Sequence, residues 1–230
     1  MKIFFRLLLA HLLTDFTLQT NFIAKWKKKS FLGVVVHSLS FFIFGLILTW
    51  EDLNKIWFNY PVKLSGIWCL IILFVLHVIE DEYRSYNVRH YHIQDTILFF
   101  LWDQVIHIVL IFIFSPFNEL ETEPWVIIMC ILIVGTHVLS VLLLYIDMFF
   151  YSKDIAYSFF NKKYYSILIN LAVMLCFLLP YKLYFISLLI APISWILNRK
   201  FKFLSSLNWW INTAVSYGFG ILILYTLGEL

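Results

Sequence analysis

Residues 7–24 read LLLAHLLTDFTLQTNFIA, a run apolar enough to cross a bilayer that nevertheless carries His11, Asp15 and Gln19. Spaced at i, i+4 and i+8, these three share one slowly drifting face of a helix with 3.6 residues per turn. An aspartate near the middle of a spanning helix costs about 2.5–3.5 kcal/mol on the insertion scale, and each surrounding leucine returns only a few tenths. Other helices must therefore receive that face, which points to spanning helices packed around a polar interior.

The composition agrees. With 62% hydrophobic and 13% charged residues and a mean hydropathy of +0.87, the chain lies outside the range of soluble domains, which are about 45–50% apolar and about 25% charged. The expected fold is all-α, a polytopic transmembrane helix bundle of about eight spans, six to eight being the range. That fills 230 residues and leaves no room for a soluble domain. A net charge of +3 is too small to argue for nucleic acid, so none is expected as a partner. Cys69, Cys130 and Cys176 have no CxxC spacing and read as reduced apolar residues. The opening MKIFFRLLLAHLLTDF has a basic end and an apolar run but no small-x-small cleavage site, and is expected to stay as an uncleaved helix.

The expected spans are 3–24, 31–50, 64–79, 95–114, 125–150, 164–179, 182–197 and 207–227. Asp95 is read as a helix N-cap, Pro192 as a bend, and Arg6 as snorkelling to headgroups. The segment after 79, reaching Gln94, reads as the longest charged connection. Lys25, Lys27, Lys28, Lys29, Arg84, Arg89, Lys153, Lys162, Lys163, Arg199, Lys200 and Lys202 fall on one side of these spans. Lys2, Arg6, Lys55, Lys63 and Lys182 fall on the other. By the positive-inside rule both termini then face away from the cytoplasm of a multi-pass inner-membrane protein. We read residues 1–230 as one membrane domain: 1–114 a polar-lined four-helix core, and 115–230 supporting helices in which Ala214, Ser216, Gly218 and Gly220 allow close approach.

Three of the first four spans repeat one device: His11 with Asp15, His77 with Asp81, and Asp103 with His107, each pair four apart on one helix face. His37 adds an imidazole from the second span. Imidazole and carboxylate from facing helices are how bundles hold zinc, manganese or iron. The expected ligands to a divalent metal such as zinc or manganese are His11, His37, His77, Asp103 and His107. Asp15, Asp81, Gln19 and Gln104 are placed on the catalytic side: Asp15 or Asp81 as base, the glutamines as hydrogen-bonding support. Lys25 or Arg84 would steady an anionic headgroup. A structural polar network between helices is the bland reading of the same residues, and a proton or ion pathway is a third. His90 and His92 read as interfacial, and His137 as a helix-contact residue ten positions from Asp147. There is no GxSxG, HExxH, P-loop or GxGxxG pattern.

AHLLTDFTLQTNFIAKWK, the histidine of VVVHSLS, LHVIEDEYR and WDQVIHI together resemble the bacterial membrane family catalogued as domain of unknown function 3307. That family looks like small multi-span proteins with a HxxxDFxLQ opening, a second-span histidine, a HxxxD and a DQxxH. The likeness covers residues 7–110. It implies membrane location and singles out the same polar positions, together with Phe16 and Lys25, but brings no activity. The functional expectation is metal-dependent hydrolysis of a lipid-soluble ester or phosphoester, with membrane lipid around the chain and a lipid-like or anionic substrate. A proton-coupled or ion transporter and a non-catalytic scaffold stay open, as does the oligomeric state.

Overall fold

The computed structural model describes residues 1–91, 96–116, 122–180 and 183–228. It is mostly helical and divides into two compact units, 1–126 and 127–230.

In the first unit, α1 (Lys2–Leu12) runs into a π turn (Leu13–Thr17), followed by α2 (Asn21–Lys29), α3 (Phe31–Thr49), α4 (Gly66–His90) and α5 (Ile97–Ile113). A hairpin of β1 (Ile56–Phe58) and β2 (Leu64–Ser65), antiparallel with Ile56 opposite Ser65, joins α3 to α4. Helices α1, α3, α4 and α5 pack together, with α2 folded back onto α3 and α4.

The helix expected over 3–24 is two helices. Leu18 N–H reaches back five residues to Leu13 O at 2.8 Å, closing the π turn. Thr20 then adopts an extended conformation, and its hydroxyl accepts the Ile23 N–H at 3.3 Å, capping α2. The i, i+4, i+8 face therefore stops at Asp15, and Gln19 lies in the turn. The charged stretch after 79 is not a loop: α4 continues through it as one helix to His90. Asp95, the expected cap of α5, lies outside the described residues. Thr96 does the capping there, accepting the Phe99 N–H at 3.3 Å.

An apolar layer of Ile3, Leu7, Ala10, Phe41, Leu70, Leu73 and Ile111 fills the bundle on one side of its buried polar residues. At one edge, Arg6 does not reach outward. It makes a two-pronged pair with Glu123 (Nε–Oε2 2.6 Å, Nη2–Oε1 2.7 Å) and donates to Leu48 O at 2.8 Å. The guanidinium holds the Glu123 carboxyl below its ordinary range. At Gly33 an added Cβ would lie 2.6 Å from the Trp26 carbonyl and 2.7 Å from the Lys27 nitrogen. The backbones of α2 and α3 can touch there because glycine has no side chain.

The second unit holds most of α6 (Pro124–Ile133), a π turn (Val134–Val138), α7 (Leu139–Phe150), α8 (Lys153–Phe160), α9 (Lys163–Cys176), α10 (Ser187–Phe201, containing Pro192) and α11 (Ser206–Leu227). Its helices are joined by a buried amide network. Asn170 and Asn212 exchange hydrogen bonds at 2.8 and 2.6 Å, Ser166 donates to Asn212 at 2.6 Å, and Asn170 donates to Gly135 O at 2.9 Å, inside the π turn. Of the small residues expected to mediate packing, Gly220 does so against the Phe177 ring, whereas a Cβ on Gly218 would meet nothing within 4 Å. Ser216 donates within its own helix, to Thr213 O. Lys182, the expected start of the span 182–197, lies outside the described residues.

Three helical stretches, Phe31–Asp52, Pro124–Phe150 and Ser206–Leu227, are long and apolar enough to cross a membrane, and α5 and α9 are shorter apolar helices. Large apolar side chains such as Ile47 (64% exposed) and Leu98 (74%) face outward while aspartates and histidines are buried. Apolar outside and ionisable inside is the pattern of a protein solvated by lipid.

Replacing Asn212 by Leu removes the acceptor for Ser166 and one partner of Asn170, and buried groups left unpaired cost about 1–3 kcal/mol each. Thermal denaturation of the detergent-solubilised variant should show a clearly lowered melting temperature, whereas Ser216→Ala should melt as wild type. Equal melting of Asn212→Leu and wild type would contradict the network's role.

Candidate metal centre

Five helical segments of the first unit deliver one buried polar cluster. His11 and Asp15 come from α1 and its π turn, Lys27 from α2, His37 from α3, His77, Asp81 and Arg84 from α4, and Asp103, Gln104 and His107 from α5. His11, Asp15, His37, His77, Asp81, Asp103 and His107 are all buried. The regular helical spacing brings each His/Asp pair inward, while the π turn, which inserts an extra residue into the helical cycle, carries Asp15.

The centre of the cluster is a quartet. His37 Nε2 lies 3.3 Å from Asp15 Oδ1 and 3.4 Å from Asp81 Oδ2, and His77 Nε2 lies 3.6 and 3.4 Å from the same two oxygens. None of the four atoms makes a hydrogen bond, although all are buried. Tetrahedral bonds of about 2.0–2.2 Å, as zinc makes to nitrogen and carboxylate oxygen, put neighbouring ligand atoms about 3.3–3.6 Å apart. The four nitrogen–oxygen distances fall in that interval, and His37, His77 and Asp81 bring ligand atoms within 4.8 Å of one another.

Each carboxylate that turns one oxygen inward has the other held. Lys27 Nζ donates to Asp81 Oδ1 at 2.6 Å. Gln104 Nε2 donates to Asp15 Oδ2 at 3.3 Å and Asp103 Oδ2 at 3.1 Å, and Arg84 Nη1 reaches Asp103 Oδ2 at 2.8 Å. Asp103 Oδ1 is left unpartnered. The imidazoles follow the same rule. His107 Nδ1 lies 2.8 Å from the Asp103 backbone carbonyl, which can only accept, so that nitrogen carries the proton and Nε2 presents a lone pair. Gln104 Oε1 accepts from His11 Nε2 at 3.1 Å, an assignment fixed by the amide's donation to the two aspartates, and this leaves a lone pair on His11 Nδ1, 3.7 Å from Asp15 Oδ1. Oriented second partners of this kind set the direction of metal ligands.

Burial alone would lower the Lys27 pKa, but Asp81, Asp15 and Asp103 outweigh it and hold the ammonium above its ordinary value. The ammonium is therefore charged at neutral pH and gives up its proton only as pH rises through that raised value. Phe41 stacks on His77 with ring centroids 5.1 Å apart. Beside it a cavity of about 10 Å³, lined by Phe41, Leu73, His77, His107, Leu110 and Ile111, has room for about one water-sized sphere.

Of the residues singled out in the sequence, His11, His37, His77, Asp103, His107, Asp15, Asp81 and Gln104 are thus brought together. Gln19 is half-buried in the turn before α2, and Lys25 is exposed on the outer face of that helix. Arg84 faces Asp103. His90 packs on Tyr86 near the end of α4, and His92 lies outside the described residues. His137 and Asp147 belong to the second unit, where the Thr136 hydroxyl lies 3.0 Å from His137 Nδ1. The residue that sequence reading missed is Lys27. Its signal was the wheel of α2, on which Lys27 shares a face with Ile23 and Ala24 and is turned away from Phe22, Lys25 and Lys29.

The model of the family described as Protein of unknown function (DUF3307) matches residues 3–134, more than half of the chain and beyond the motifs quoted above. The chain belongs to this family. No curated protein and no solved structure matches it.

Removing one partner of a buried ion pair typically costs about 3–5 kcal/mol. Lys27→Met should therefore strongly lower the melting temperature in detergent, while Lys25→Met on the exposed face should change it little. Matching losses for the two variants would contradict the buried role of Lys27.

Proposed function

We propose that this member of the DUF3307 family is a multi-pass inner-membrane metalloenzyme that holds a divalent cation, zinc or manganese, between Asp15, His37, His77 and Asp81. In this reading it hydrolyses an ester or phosphoester carried in the lipid. The observation that carries it is that two buried imidazole nitrogens and two buried carboxylate oxygens, all without hydrogen bonds, make four nitrogen–oxygen separations of 3.3–3.6 Å. Two carboxylates facing one another across two imidazoles in an apolar bundle repel unless positive charge lies between them.

A divalent ion held by these residues would lower the pKa of a bound water and place positive charge beside the oxygen that becomes negative during hydrolysis. The chain's own residues divide the remaining work. Asp15 and Asp81 act as ligands rather than as the base, since Gln104 and Lys27 hold their second oxygens. His11, with its Nε2 proton committed to Gln104, offers Nδ1 to take a proton from water and return it to the departing alcohol oxygen. Water is thereby split between the acid and alcohol products.

The apolar layer of Phe41, Leu73 and Ile111 closing one side of the cluster favours a local centre over a relay crossing the membrane. We take α1, α3, α4, α5, the continuous helix Pro124–Phe150, α9, α10 and α11 as the eight crossings. Lys27 and Arg84 are used inside the bundle, but discounting them leaves the excess of basic residues on the same side, so both termini stay opposite the cytoplasm.

Protein purified in detergent without chelators should carry at least one equivalent of zinc or manganese by elemental mass spectrometry, and His37→Ala and Asp15→Asn should each lose most of the ion at this position. Wild-type protein free of metal after growth and dialysis with both ions would overturn the reading.

A further inference from the structure

The quartet does not account for every unpartnered atom. Asp103 Oδ1 and His107 Nε2 are buried, make no hydrogen bond, and lie with a carboxylate oxygen of Asp81 in a group whose ligand atoms are all within 4.8 Å of one another. Their other atoms are committed. Arg84 and Gln104 hold Asp103 Oδ2, and the Asp103 carbonyl takes the His107 Nδ1 proton. His107 also borders the water-sized cavity beside His77. Nothing from the chain fills this second convergence of lone pairs, and like the first it calls for a cation.

Resting on the reading of the first site, we infer that the centre binds a second divalent cation between Asp81, Asp103 and His107, with Asp81 shared, and that the pair selects a phosphate ester over a neutral carboxylic ester. Two adjacent divalent ions are the arrangement that clamps the attacking and leaving oxygens in phosphoryl hydrolysis. Charge within the cluster points the same way. Asp15, Asp81 and Asp103, with the half-buried Glu80 beside Asp81, Asp103 and Arg84, exceed Lys27 and Arg84 by two negative charges. One divalent ion neutralises that excess. A second ion leaves the buried site two charges positive, which a phosphate group can offset and a neutral ester cannot.

The full-length protein in detergent should be stripped of metal and reloaded with manganese. Two ions per chain and the spectrum of a magnetically coupled manganese pair are expected. Asp103→Asn and His107→Ala should each halve the stoichiometry and give the six-line signal of an isolated ion. Inorganic phosphate and micellar phosphatidic acid, compared by the change each makes in the coupled signal, distinguish free phosphate from a lipid headgroup, and both should bind at least tenfold more tightly than acetate. One isolated ion in wild type, unchanged in both variants, overturns the second site and leaves the first standing, whereas no bound ion overturns both. Acetate binding as tightly as phosphate overturns the substrate class. Wild-type stoichiometry and coupling decide the matter even where a variant fails to fold.

Discussion

Imidazole lone pairs and carboxylate oxygens are aimed at each other in the interior of a bundle whose surface is apolar, and this is the constraint on which the first unit depends. The carboxylates could relieve such a clash by turning away, but their other oxygens are already engaged. Lys27 holds Asp81, Gln104 holds Asp15 and His11, and Arg84 with Gln104 holds Asp103. A positive charge in their midst relieves the inward atoms. A proton shared among them would relieve one contact, and a divalent ion relieves several at once.

The backbone serves this arrangement by abandoning regular helix geometry after α1. The π turn at Leu13–Thr17 carries Asp15 to the quartet and ends the helix one turn later. The chain can then fold α2 back across α3, where Gly33 permits backbone contact, and this seats Lys27 against Asp81. A lysine that looks like one of four basic residues leaving the membrane is thus an interior counter-charge. The second unit is built differently, on neutral amides. Asn170 and Asn212 satisfy one another, and Asn170 also donates to the carbonyl of Gly135 inside the π turn.

What was readable in the sequence is what depends on helical period alone. His11 and Asp15, His77 and Asp81, and Asp103 and His107 lie four apart, and helices packed side by side must bring such faces together. What escaped depends on contacts distant in the chain or on a departure from that period. Gln19 looked continuous with His11 and Asp15 because one threonine cap, at Thr20, decides where the helix ends. The polar run after Ile79 read as a loop because its charges seemed costly in a helix, yet Asp81 and Arg84 there are paired in the bundle. Arg6 read as reaching for headgroups because its partner, Glu123, lies more than a hundred residues away. Asn208 and Asn212 stand four apart on α11, as Ser166 and Asn170 do on α9, but neutral amides and hydroxyls at that spacing were not read as a buried network.

The account stands on an ion coordinated by two imidazoles and two carboxylates, and X-ray absorption at the K edge of the bound metal observes that coordination directly. The spectrum should contain only nitrogen and oxygen neighbours at about 2.0–2.2 Å, with the outer-shell scattering of imidazole rings. A sulfur neighbour near about 2.3 Å would contradict it, as would a shell of water oxygens without imidazole scattering.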